Sequence, residues 1–108
     1  MNDIVTRLEK MGAAIAPYSK AKADRVYIEK FLRSKIAMLI QDAPEDCTTV
    51  SAKEAYAYSH PEYLELLDGL REAVEVEEKA KFTLEQFKIQ FEMWRTEQAN
   101  NRWIQDRI

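Results

Sequence analysis

The chain has 108 residues, 46% of them hydrophobic and 32% charged, with a net charge of −3. That supply of apolar side chains is enough for a core and excludes a disordered chain. Two glycines and three prolines are too few for the tight turns of a β-sandwich or barrel, and the abundant Ala, Leu, Glu, Lys and Arg favour helix.

The fold class that follows is all-α: an elongated helical hairpin or coiled coil with one long C-terminal helix, a short central helix and a Pro17-kinked N-terminal helical arm. It is read as a single helical domain over residues 1–108. Residues 1–42 form the arm, 43–51 a loop, and 52–108 the short and long helices. No run of about 18 apolar residues occurs, so no transmembrane helix is expected. The N-terminus carries no basic-then-apolar secretory pattern. A lone cysteine, Cys47, makes no internal disulfide and suits a reducing cytoplasm.

In the arm, Asn2 or Asp3 can cap a first helix. Ile4, Leu8, Met11 and Ile15 follow at spacings of four, three and four, which puts them on one helical face. Pro17 lacks an N–H and clashes with the preceding turn, so a break or kink is predicted near residues 16–19. Ser19 can cap a second helix over about 20–41. Its apolar positions Ala23, Val26, Tyr27, Phe31, Leu32, Ile36, Leu39 and Ile40 form a broad stripe. The polar run from Asp42 to Val50, with Pro44, reads as a loop.

Ser51 and Glu54 match a capping box, which predicts a short helix over about 52–58. Pro61 fits the first turn of the next helix, where its missing N–H costs little. From Glu62 to about Arg102 only Gly69 interrupts the helical pattern. Leu66, Leu70, Ala73, Glu77, Ala80, Leu84, Phe87, Phe91, Trp94 and Gln98 recur at alternating spacings of four and three. That is a heptad seam with polar entries at Glu77 and Gln98. Those two entries leave two readings open: a register-fixing polar contact, or a seam only partly buried there. A seam this long, beside an arm broken at Pro17, predicts a homo-oligomer joined through the eight apolar seam residues.

Charge is unevenly spread. Residues 1–42 hold eight Lys/Arg against five Asp/Glu, net +3, and residues 43–108 hold eight against fourteen, net −6. The two parts attract each other if they pack side by side, in one chain or in two.

The reactive residues are read as passive. His60 is the only histidine and stands at a helix start; its spacing to Cys47 matches no zinc pattern. Cys47 sits beside Glu45 and Asp46, which disfavour a thiolate. Glu72, Glu75, Glu77, Glu78 and Glu85 read as a solvated acidic face, since the Glu-x-x-His motif of di-iron bundles is absent. No catalytic residue, metal or cofactor is expected.

Two surfaces remain as candidate protein-binding sites. Tyr56, Tyr58 and Tyr63 cluster at a helix junction, where packing is the plain reading and a protein contact the next. Arg102, Trp103 and Ile104 lie beyond the clean heptads, and Trp and Arg are favoured at interface hot spots. A third candidate is a nucleic-acid surface of Lys20, Lys22, Arg25, Lys30, Arg33 and Lys35, which would contact phosphates in a salt-sensitive way.

The stretch PEYLELLDGLREAVEVEEKAKFTLEQFKIQFEMWRTEQANNR, with its tyrosine run ending at Tyr63 and its WRTEQANNR close, resembles small helical proteins encoded by bacteriophages. Such proteins often lie near single-strand annealing or recombination genes. The resemblance implies a phage or prophage accessory role in the host cytoplasm and carries over no catalytic residue. The function expected is a non-enzymatic protein–protein contact that modulates or inhibits host nucleic-acid-processing or defence machinery. The alternative is a recombination accessory that binds nucleic acid through the basic arm.

Overall fold

The computed structural model describes residues 2–107, without the side chains of Asn2 and Asp3, so the cap expected from those two lies outside the described residues. Three helices follow in chain order: α1 over Asn2–Gln41, α2 over Val50–Ser59 and α3 over Pro61–Arg107. Helix makes up 91% of the described residues, and no strand occurs among them. The all-α class, the short central helix and the long C-terminal helix are therefore as the patterning predicts. At 1.5 Å per residue, α3 runs for about 70 Å.

The arm is one helix, not two. α1 continues through Pro17, so Ser19 caps nothing and the expected break is absent. A proline inside a helix removes one hydrogen bond and costs about 3 kcal/mol. Packing on either side offsets this. Pro17 itself is exposed, while Ala14, Tyr18 and Ala21 turn inward at spacings of four and three. The inward line continues through Arg25, Ile28, Leu32, Lys35 and Leu39 at the same alternation. It differs from the stripe read off the sequence. Ile15, Ala23 and Tyr27 are exposed, and Leu8 is 40% exposed. Arg25 and Lys35 hold inward positions that an apolar pattern search skips.

α2 begins two residues earlier than predicted, because Thr49 and not Ser51 caps it. Thr49 Oγ1 accepts from the Ala52 N–H at 3.1 Å, satisfying one of the donors orphaned at a helix start. At the far end, His60 terminates α2 in an extended conformation, its N–H donating to the Ala57 carbonyl. Its ring then serves the next helix: Nδ1 accepts from the Glu62 N–H at 3.1 Å. Pro61 occupies the first position of α3, as its fixed φ and missing donor favour. One residue thus closes α2 and opens α3.

Contacts divide the chain into two compact units, Met1–Lys20 with Glu78–Ile108, and Ala21–Glu77. In the second unit, Ala21, Leu39, Ala57 and Glu77 are buried. α1 and α3 run antiparallel there, since Arg25 pairs with Glu77 and Lys35 with Glu62. These pairs realise the attraction expected between a basic arm and an acidic C-terminal part. In the first unit Ile4 is buried, and Ala80, Leu84, Phe87, Phe91 and Trp94 are half-buried. The α3 seam is therefore the inward face in both units. Leu66, Leu70 and Ala73 are half-buried as well, whereas Gln98 is exposed. Gln98 thus follows the reading in which the seam lacks cover, and Glu77 does not. No helix among the described residues is long and apolar enough to cross a membrane.

Candidate functional site

Glu77 is the most buried residue of α3, at 8% exposure. A buried carboxylate is costly unless paired and hydrogen-bonded. Here Arg25 supplies a fork: Nε donates to Oε2 at 2.5 Å and Nη2 to Oε1 at 3.1 Å. Arg25 also donates from Nη1 to Glu29 at 3.0 Å. The hydrogen bonds it donates to these carboxylates push its pKa further up, so the guanidinium stays charged in all ordinary conditions. A bidentate pair has one good geometry. Sliding α1 along α3 by a residue would break it, so the pair sets the register of the two helices.

This pairing changes the reading of the basic arm. Of the six cations assigned to nucleic acid, Arg25 and Lys35 turn inward and are held by carboxylates. Lys20, Lys22, Lys30 and Arg33 are exposed. Lys22, Lys30 and Arg33 share one side of α1, within about 80° at 100° per residue.

The C-terminal half of α3 has a second apolar face. Phe82, Ile89, Met93, Trp103 and Ile104 are each 49–61% exposed. Phe82, Ile89 and Met93 project about 180° away from Leu84 and Phe91 of the seam. Trp103 and Ile104 flank the same direction. A shallow depression of about 510 Å³ runs along this face beside Lys88, Ile89, Glu92 and Met93. Arg102, grouped with Trp103 and Ile104 from the sequence, projects to the opposite, seam side. The cation beside the indole is Arg107, whose guanidinium carbon lies 4.7 Å from the Trp103 ring centre. That spacing of four residues is legible in the sequence once the helix is known to reach Arg107.

The three tyrosines do not form one cluster. Tyr58 meets Tyr63 edge-on at 5.4 Å, and Tyr56 meets His60 edge-on at 5.5 Å. Both are ordinary packing geometries for aromatic rings, and of the three only Tyr58 is largely exposed. Cys47 is a half-buried free thiol. Among the described residues no group of three or more His, Cys, Asp and Glu could hold a metal ion.

Within Ala21–Glu77 an apolar groove of about 380 Å³ lies between α1 and α3. Ala21, Asp24, Tyr27 and Ile28 line one side, and Gly69, Glu72, Ala73 and Val76 the other. It adjoins a depression of about 460 Å³ that shares Ile28 and Gly69 and adds Phe31, Lys35, Glu62, Glu65 and Leu66. Tyr27 and Phe31 stack along its edge, centroids 6.2 Å apart. Gly69 is common to both hollows. A Cβ added there would meet nothing within 4 Å and its φ is not positive, so neither backbone conformation nor packing inside the chain requires glycine. In a helix interior glycine costs about 1 kcal/mol relative to alanine.

Compared with protein-family models, curated proteins and solved structures, the chain has no significant match.

Proposed function

We propose that this chain is a non-enzymatic interaction protein that works through the outer face of α3, with a second copy as the first occupant of that face. One observation carries the reading: Phe82, Ile89, Met93, Trp103 and Ile104 are exposed together on the side of α3 turned away from its seam. Monomeric proteins rarely leave contiguous apolar patches of more than a few hundred Å² in water, and larger ones mark interaction sites. Two-fold dimers are the commonest soluble assemblies and need only one patch that suits itself. The case for self-association thus rests on this outer face, because the Pro17 break that would have left the seam uncovered is absent.

The resemblance of the C-terminal half to phage accessory proteins directs the search for a further partner to cytoplasmic DNA-processing or defence complexes. Direct nucleic-acid binding has less support, since two of its six cations are engaged inside the fold.

The test separates the two faces of α3. Phe82→Ser/Ile89→Ser/Met93→Ser should keep helicity and thermal stability while lowering the mass measured by light scattering. Phe87→Ser, on the seam, should instead reduce stability by about 2–4 kcal/mol. A wild-type mass of 12.6 kDa across the micromolar range would defeat self-association.

A further inference from the structure

The groove between α1 and α3 in Ala21–Glu77 is not used by the outer face of α3, which belongs to residues 82–104. It is apolar at its floor, edged by the stacked Tyr27 and Phe31, and spans α3 from Glu62 to Val76. That is about 21 Å, or roughly four helical turns. Its charge is one-sided. Glu65 and Glu72 are exposed carboxylates on the α3 wall, Asp24 stands on the α1 wall, and Lys35, the one cation lining it among the described residues, is already paired with Glu62.

We infer that this groove is a docking site for an amphipathic basic helix of another protein. An apolar stripe would lie on Ile28, Ala73 and Gly69, and Lys or Arg side chains would reach Glu65 and Glu72. Helix-in-groove recognition has this form. Gly69 supports it, because a glycine the fold does not need leaves room for close backbone approach. The acidic walls also decide against a second copy placed groove to groove, which would set carboxylate against carboxylate.

The probe is a synthetic helical peptide of about 15 residues with leucine on one face and lysine on the other, followed by fluorescence anisotropy. The control replaces every lysine by glutamate. Wild type should bind the lysine peptide and not the glutamate one. Gly69→Leu should weaken binding by about tenfold or more with unchanged helicity, and Glu65→Lys/Glu72→Lys should do the same without touching the floor. Phe82→Ser/Ile89→Ser/Met93→Ser should bind as wild type, which keeps this result distinct from the fate of the outer face. Equal binding by wild type and Gly69→Leu would overturn the inference. So would equal binding of both peptides, or a dimer that only Gly69→Leu dissociates, which would make a second copy the occupant.

Discussion

Glu77 on α3 lies under a two-pronged hydrogen bond from Arg25 on α1, at 2.5 and 3.1 Å, 52 positions away in the chain. Removing one partner of a buried pair leaves the other charged and desolvated, whereas an apolar pair of similar size is often neutral. Arg25→Met should therefore lower the melting temperature by several degrees. Glu77→Leu should cost less, because Arg25 keeps Glu29 and some water. The double variant Arg25→Met/Glu77→Leu should recover much of the loss. A double variant as damaged as the sum of the singles would mean that the pair does not act as a unit.

The second ion pair gives a pH signature. Lys35 Nζ lies 2.6 Å from Glu62 Oε2, and its hydrogen bond, then its charge, hold the Glu62 carboxyl below the usual range. A depressed carboxyl adds stability that is present above its unfolded value, about 4.3 for glutamate, and is lost as pH falls through the lower folded value. The Glu62 side chain is largely exposed, so water and salt screen the effect. Between about pH 5.5 and pH 3, wild type at low salt should lose more stability than Lys35→Met. Identical acid limbs in urea titrations would show that the pair contributes nothing.

His60 is assigned a cap. His60→Ala removes the acceptor for the Glu62 N–H and should cost about 1 kcal/mol, while His60→Asn should stay within a few tenths of wild type. Both variants should retain any partner contact, since His60 works on the backbone. A loss of binding by His60→Asn at unchanged stability would reveal a chemical role.

Pro17 and Gly12 are exposed positions inside α1 that weaken it. Nothing stands within 4 Å of a Cβ added at Gly12. Gly12→Ala should stabilise by up to about 1 kcal/mol. Pro17→Ala should stabilise by up to about 3 kcal/mol, by restoring a hydrogen bond and relieving the clash with the preceding turn. Denaturant midpoints check both. A neutral or destabilising Pro17→Ala would mean that the helix does not run through this position.

By itself the sequence determined the helical class, α3 as far as about Arg102, and its seam. Those depend on local propensity and on a four-three spacing of large apolar residues, both of which read directly along the chain. From Leu66 to Trp94 every apolar seam position is half-buried. The tertiary structure decided three further things. It kept α1 continuous, because packing of half-buried Ala14 and Tyr18 and buried Ala21 offsets what Pro17 costs locally. It turned Arg25 and Lys35 from a candidate phosphate surface into internal partners of Glu77 and Glu62, since a charge's role depends on what faces it across another helix. And it separated the two apolar faces of α3. Periodicity places Phe82 and Phe87 on different sides of a helix, but only the packing of a neighbour shows which side is covered and which is left to bind.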